Sequence, residues 1–596
     1  MRALLFSIFV MVAAPAWVNA AVTPDDAHQL LSDWQLEDAL SAAQKMLAED
    51  PENPELWYLA ARIQHARGHH VSAVRLIDAA KAEGVEVDRI ESLAKGSADY
   101  QAWMEYVETE HFRIGYLNKD RIVAHYAGPV LEAAYKGIGD ALDFYPAERG
   151  EKIAVEIYPD ARGLSAATGL SLQAIETTGT IAVAKFHRLM IISPLATADG
   201  YAWGDTLSHE YTHLVISKKS RNGIPIWLHE GIAKYYEKQW SKAPGRPLGP
   251  WSEKLLADAT RTGEFITFEQ MHPSMALLPS QKDAALAFAQ VATVVEYFNK
   301  VHGRSAVADI LALAGEGASL ERALKKRVGA GIRGVEKTWQ RWVRKREFQL
   351  VPGASPQRIT LASDEAQAAE ERPLESMDDR EVHNFSRLGE LLQLRGHHKA
   401  AVVEYEKAYT KAGVRYITLI NRLARAYEKV GQRSEAIELL EDALAAHPED
   451  SDAHLMAGRL AFATENFEAA AKHFEAVRLK NPFNPEIHAA FAKLYENRGD
   501  SDEAAQAKEF LELAKKTRER RDFEMPPPSA GEARVSIITA NWEELRVDAQ
   551  PPLTSPAFDL GVKAGEHVVE FTDGNGKLKS ETIELKAGDN RVLVLR

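Results

Sequence analysis

Between Asp379 and Lys516 the same turn-forming and small residues return about every 34 residues. No other feature restricts what the chain can fold into as tightly. Gly396, Gly431 and Gly499 stand at matching turns, with Glu465 in the corresponding slot, and Ala401, Ala436, Ala470 and Ala504 each follow five residues later. Pro448 and Pro482 mark the joints between units. A unit of this length with a central turn holds two amphipathic helices. One such pair cannot bury its apolar faces alone, so roughly three to four units must stack into a solenoid with a shared core. A shorter copy stands near the amino terminus, where Pro54 to Leu59 is followed by Gly68 and Ala73 at the same offset. The doublets His69-His70 and His397-His398 fall in the turns, where solvation is the expected state.

Chemistry concentrates elsewhere. Ser208-His209-Glu210-Tyr211-Thr212-His213 reads H-E-x-x-H, and Trp227-Leu228-His229-Glu230-Gly231-Ile232-Ala233 follows. On a helix, side chains four apart point the same way about one turn apart, so His209 and His213 can aim both imidazoles at one ion. Catalytic zinc takes three protein ligands and keeps a fourth position open. Glu230 is the natural third ligand, and Glu210 is free to act on water. Asp205 or Thr206 can cap the first helix, and Arg221-Asn222-Gly223 breaks it. Pro225 suits a helix start, so a second amphipathic helix is expected over 226–240. A short turn between two helices lets Glu230 reach the histidine pair. A carboxylate next to a ligand can take the proton that a zinc-bound water loses near neutral pH.

This arrangement resembles the gluzincins, metallopeptidases with H-E-x-x-H and a downstream Glu. It is most similar to the peptidase MA-like domain of exported bacterial proteins that also carry tetratricopeptide repeats. The resemblance covers roughly residues 105–345. Glu110 to Ile114, Ile153 to Asp160 and Leu189 to Pro194 look like its strands, and Ala287 to Gln290 with Val294 to Phe298 like a helix after the site. It implies His209, His213 and Glu230 as ligands of Zn2+ and Glu210 as general base. Lys234 stands where relatives often carry an acid that supports a ligating histidine, and Phe288 where a Tyr is expected. The strand from Arg188 to Ser193 can bind an extended peptide if it lies at a sheet edge, and is otherwise a core strand. An oxyanion stabiliser is expected among Tyr201, Tyr235, Tyr236, His272 and Tyr297. No G-x-M-E-N segment is present, which argues against an aminopeptidase. The 34-residue units resemble tetratricopeptide repeats, which usually present a concave surface to a protein or peptide partner.

Met1-Arg2, the apolar run Ala3 to Trp17 and Val18-Asn19-Ala20 have the three-part pattern of a cleavable secretory signal. With no Cys in 596 residues, neither a lipid-modified terminus nor a disulfide is available. The expected location is periplasmic or extracellular. No later run reaches membrane-spanning length. A formal charge of −14 opposes nucleic-acid binding. Residues 351–380 are rich in Pro, Ala, Ser and acids and read as a linker, and Pro526-Pro527-Pro528 is a second break. Beyond it, short alternating runs separated by glycine turns predict a small antiparallel β-sandwich similar to PEGA-type modules.

The expected organisation is therefore multidomain and mainly α. A signal occupies 1–20, repeat-like helices 21–100, and an α+β zincin-like domain 101–350. After the linker, repeats span 381–522 and a β-sandwich 530–596. The expected function is an exported zinc metallopeptidase whose repeats bind substrate or a partner protein. A catalytically weak zincin-fold scaffold is the alternative, and a purely structural envelope factor a third. Protein, short peptide and peptidoglycan stem peptide all fit as substrate.

Overall fold

The computed structural model describes residues 23–33, 35–146, 152–185, 187–197, 200–242, 245–351, 353–354, 377, 379–519, 532–539, 544–548, 550, 553–554, 557–572, 577–586 and 589–595. The expected signal and most of the expected linker lie outside the described residues. The chain forms two compact units: residues 1–65, 72–88 and 529–596 in one, and 66–71 with 89–528 in the other.

The first unit opens with helices α1 (Pro24–Ser32), α2 (Leu36–Glu49), α3 (Pro54–Ala66) and α4 (His70–Ala82). Thr23 and Asp26 form a reciprocal capping box at the start of α1. The carboxy-terminal part contributes two sheets. β6 (Glu532–Thr539), β9 (Ala557–Lys563) and β12 (Asn590–Leu595) form one, in the order β12-β6-β9. β7 (Glu544–Val547), β8 (Leu553–Thr554), β10 (Gly565–Thr572) and β11 (Leu578–Leu585) form the other, in the order β11-β10-β7-β8. Inward residues such as Val535, Ile537, Val569, Phe571 and Leu585 make the core between them. The expected sandwich is present, but it is not purely antiparallel. β12 runs parallel to β6, which seals the first strand of the module with its last. Arg75 of α4 donates to the Ser536 hydroxyl of β6 at 2.9 Å, both side chains buried.

The second unit takes residues 66–71, which include His70, and continues with α5 (Ile90–Gln101) and an α+β region. Its sheet contains β1 (Glu105–Glu108), β2 (Phe112–Tyr116), β3 (Ile153–Tyr158), β4 (Ala182–Lys185) and β5 (Arg188–Ile192), in the order β1-β2-β3-β5-β4. β2, β3 and β5 are parallel, while β1 and β4 run antiparallel at the two edges. β5 is buried along its whole length, so of the two expectations for Arg188–Ser193 the core strand holds. The open edge belongs to β4, which is half-buried.

Helices α6 (Arg121–Leu142), α7 (Ala161–Thr168), α8 (Leu172–Thr178), α9 (Trp203–Ser220) and α10 (Ile226–Tyr236) accompany this sheet. α11 (Pro250–Thr262), α12 (Gln281–His302), α13 (Ala306–Gly315), α14 (Leu320–Val328) and α15 (Ile332–Val343) complete the region. α10 stops at Tyr236, short of the expected Trp240. Asp205 does not cap α9, which starts two residues earlier; its carboxylate instead accepts from Trp240 Nε1 at 2.8 Å.

The solvated turn expected at His69-His70 is a second departure. His70 is fully buried, with Nε2 2.6 Å from both Glu156 Oε1 and Arg188 Nη1. Tyr158 and Arg188 also donate to the Glu156 carboxylate, at 2.8 and 2.7 Å. Burial and the Arg188 charge both hold the His70 pKa down, so the ring stays neutral. A local reading of a turn had no access to partners 86 and 118 residues away.

The repeats follow as α16 (Arg380–Leu394), α17 (His398–Ala412), α18 (Ile417–Val430), α19 (Arg433–Ala446), α20 (Ser451–Ala463), α21 (Phe467–Arg478), α22 (Pro485–Arg498) and α23 (Ser501–Glu519). Gly396, Gly431 and Gly499 take φ of 79, 85 and 82° at the intra-pair turns. Glu465 adopts the same left-handed conformation at φ 59°, which is why it fits the slot without being glycine. Ala401, Ala436 and Ala470 are completely buried, since only a methyl group fits where paired helices approach most closely.

Candidate metal centre

α9 carries the H-E-x-x-H residues on the face turned toward α10. The α9 helix ends where Arg221 and Asn222 take positive φ, the break expected there. Pro225 then precedes α10 in an extended conformation. Gly231 lets α10 lie close against α12: a β-carbon there would stand 2.7 Å from the Val291 carbonyl oxygen. This approach brings α10 against α12 next to Glu230.

The structure brings His209, His213 and Glu230 together. Their ligand atoms lie within 4.8 Å of one another, and among the described residues this is the only such group of His, Cys, Asp or Glu. The two Nε2 atoms are 3.1 Å apart, and Glu230 Oε2 lies 3.3 Å from His209 Nε2 and 3.5 Å from His213 Nε2. A tetrahedral zinc with bonds of about 2.0–2.1 Å separates its ligands by about 3.3 Å. The three observed separations bracket that value, and a His, His, Glu set suits zinc in a catalytic rather than a closed structural site. The side chains keep 17, 14 and 23 % exposure, so the cluster is open on one side.

The electrostatics point the same way. Burial opposes a charge on His209, but hydrogen bonds with Glu230 and Glu237 overcome it and push its pKa up to about 10. Burial would raise the Glu230 carboxyl, yet His213 and His209 hold it well below its ordinary value. The site thus draws positive charge to the point where imidazoles and carboxylate meet. Glu210 differs. It is buried, and desolvation raises its pKa despite the two histidines. The backbone of Ala184 on the edge strand β4 acts in the opposite sense and lowers it.

A surrounding layer of side chains orients the ligands, and it was not legible in the sequence. His209 Nδ1 lies 3.3 Å from Glu237 Oε2, and Lys234 Nζ donates to Glu237 Oε1 at 2.6 Å. The support left open by Lys234 therefore comes from the carboxylate three residues further on. His213 Nδ1 lies 2.7 Å from His229 Nδ1, and His229 Nε2 lies 3.3 Å from the Ser217 hydroxyl. Burial, followed by the field of His213, lowers the His229 pKa to about 3, so this ring is neutral and can accept from His213. The signal was present as alternating titratable residues on α10, but choosing partners needed the crossing of two helices.

The expected oxyanion donors fare less well. Tyr201 gives its hydroxyl to the Ile192 carbonyl, Tyr236 accepts from Asn299 at 2.9 Å, and the Tyr297 hydroxyl lies 3.1 Å from His302 Nε2. His272 is exposed ahead of Pro273, and Tyr235 is half-buried with its ring edge on Tyr236. Gln290 is structural, with its amide bonded to both the N–H and the carbonyl of Ile266. Phe288 is half-buried.

The Peptidase MA superfamily profile matches residues 145–345, which contain both ligand helices. The chain carries a Peptidase MA domain. β1, β2 and α6 precede the matched segment. The tetratricopeptide repeat profile matches 30–95 and 428–494, so repeats stand on both sides of the Peptidase MA domain. No curated protein matches the chain. Among solved structures, a MamA protein is 18% identical with a TM-score of 0.22, covering 23% of this chain and 73% of that one. MamA from Desulfovibrio magneticus RS-1 is 19% identical with a TM-score of 0.21, covering 26% and 82%.

Proposed function

We propose that the Peptidase MA domain is a zinc-dependent metallopeptidase that hydrolyses peptide bonds, acting outside the cytoplasm, with the repeats binding substrate or a protein partner. The observation that carries this reading is the convergence of His209, His213 and Glu230 at tetrahedral-edge distances, with Glu210 beside them. Zinc held there supplies a Lewis acid for the scissile carbonyl and makes water acidic enough to attack near neutral pH. Glu210 is the proton acceptor, and its raised pKa moves it toward the range where a carboxylate both takes and returns a proton. β4 has an unpaired side beyond β5, and an extended peptide can add to it as a further strand. Because β4 packs against α9, a peptide laid along β4 passes close to the general base. Protein, short peptide and peptidoglycan stem peptide remain the candidate substrates.

A second reading, a catalytically weak or inactive zincin-fold scaffold, draws on one observation. The Tyr201 hydroxyl is donated to the Ile192 carbonyl, that of Tyr297 lies against His302 Nε2, and Phe288 offers none. One experiment separates the two. Zinc content and cleavage of an unfolded-protein mixture are measured for wild type and Glu210→Gln. Under the peptidase reading both bind zinc, and the variant loses about 10²–10⁴ in rate. Equal zinc with no cleavage by either supports the scaffold, and a wild type without zinc defeats the peptidase reading and leaves the scaffold standing. Export is tested separately by locating the protein in fractionated cells and sequencing its amino terminus.

A further inference from the structure

Glu230, Lys234 and Glu237 are spaced four and three apart, so they share one stripe of α10 facing α9. The last of them is in an awkward place. Glu237 sits at the carboxy-terminal cap of α10 with only 6% exposure. A buried carboxylate is costly, and the partial negative charge of the helix end adds to the cost. Each oxygen has one partner: Oε1 takes the Lys234 ammonium at 2.6 Å, and Oε2 faces His209 Nδ1 at 3.3 Å.

Only one imidazole tautomer serves both ends of His209. With the proton on Nδ1, directed at Glu237, Nε2 is free on the side where His213 and Glu230 converge. A carboxylate free to rotate would not hold that ring. The Glu449 carboxylate, from the turn between α19 and α20, and Asp205 of α9 add to the field that keeps Lys234 charged.

We propose that Lys234 is a positioning residue of the metal centre: it pins Glu237, and through Glu237 it fixes the orientation and tautomer of His209. The inference rests on the metal-site reading above. It gives Lys234 a duty opposite to its formal charge. As a bare cation near the site it repels a second cation, so removing it should tighten metal binding. As a positioning group it strengthens binding, so removing it should weaken it.

The sign of the change decides. Zinc affinity of the full chain is measured by chelator competition for wild type, Lys234→Met, Lys234→Arg and Glu237→Gln. Visible spectra of the Co2+-loaded proteins are recorded, together with kcat and KM. Loss of an outer-shell partner typically costs ten- to a hundredfold in metal affinity. Lys234→Met and Glu237→Gln should each lose that much and show altered Co2+ bands, with the fall in rate in kcat. Lys234→Arg should recover most of the affinity, because a guanidinium can keep the ion pair. Unchanged or tighter zinc binding in Lys234→Met overturns the inference while leaving the metal site standing. A wild type that takes up no zinc overturns both. Should Lys234→Met not fold, as seen by circular dichroism, Glu237→Gln and Lys234→Arg still decide the matter on the same readouts.

Discussion

Gly231 stands beside Glu230, the third of the proposed metal ligands, and replacing it with alanine tests whether helix packing sets the height of that carboxylate. A β-carbon there would meet the Val291 carbonyl oxygen at 2.7 Å, and the Val291 carbonyl carbon and β-carbon each at 3.0 Å. Two of these atoms are backbone of α12, so no side chain can swing aside. Restoring an ordinary contact near 3.4 Å means moving α10 off α12 by about 0.7 Å. Overpacking of this kind costs about 1–3 kcal/mol, and alanine returns about 0.5–1 kcal/mol of helix propensity. Net stability should therefore fall by only about 1–2 kcal/mol, a few degrees in Tm. Metal binding is far less tolerant, since ligand distances must hold to within about 0.2 Å. Gly231→Ala should thus fold normally while its zinc affinity falls at least about tenfold. The assay pairs chelator competition with thermal denaturation. Gly263→Ala is the control, because Gly263 has positive φ but open space, with nothing within 4 Å of where a β-carbon would lie. It should lose about 1 kcal/mol and no zinc affinity. If Gly231→Ala binds zinc like wild type, the Val291 contact does not set the position of Glu230.

Other parts of the molecule give three further expected outcomes. His488 is buried, and burial lowers its pKa from 6.5 to about 4, so protonation favours the unfolded repeats. Its contribution is complete above pH 6.5 and drains away toward pH 4, by up to about 3 kcal/mol; urea midpoints across that window should drop in wild type and flatten in His488→Asn. Arg346 donates to Glu253 at 2.6 and 2.8 Å and to Glu296 at 3.0 Å, all three nearly inaccessible. Arg346→Met should cost about 1–3 kcal/mol, since Glu253 keeps Arg246 at 3.3 Å and Glu296 keeps Lys300 at 2.6 Å, and Arg346→Met with Glu253→Leu should cost less, because one fewer buried carboxylate is then short of a partner; an equal melting loss in both would show the charge is not the cause. Gly200 has φ 73° and a β-carbon there would collide with the Lys480 carbonyl, so Gly200→Ala should prise Trp203 from the repeats and red-shift tryptophan fluorescence.

What the sequence disclosed and what it hid divide along the range of the interactions involved. His209 and His213 share a helix face because of local geometry, and Glu230 follows after one short turn, so the ligand trio was legible. The repeat glycines were legible for the same reason, and Glu465 shows the conformation matters more than the residue. Glu237, His229 and Ser217 were not, because which side chains meet across α9 and α10 depends on the crossing of the helices. The edge of the sheet was left open between two expectations for a related cause. Arg188–Ile192 is the more hydrophobic strand and therefore belongs inside, between β3 and the modest Ala182–Lys185 that takes the rim. His70 failed most plainly, since its environment is made by β3 and β5.

The placing of the repeats against the Peptidase MA domain bears on how the two can work together. Trp203, the first residue of the ligand helix α9, is fully buried and donates Nε1 to the Arg478 carbonyl at 3.2 Å. Tyr201 N–H donates to the Lys480 carbonyl at 3.0 Å. The Arg478 guanidinium lies 4.2 Å over the Tyr126 ring of α6, Phe510 packs on His125 and Tyr126, and Arg121 pairs with Glu509 at 3.3 Å. The exposed ion pair adds little. The buried tryptophan and the edge-to-face rings add several kcal/mol, because exposing one large aromatic side chain alone costs about 1.5–3 kcal/mol. A tethered repeat array would meet the Peptidase MA domain in many orientations, whereas this one is held against the amino-terminal turn of α9. Under the proposed function, a polypeptide gripped by the repeats therefore approaches the metal centre in a restricted register, and length between grip and cleavage point becomes a determinant of which substrates are cut.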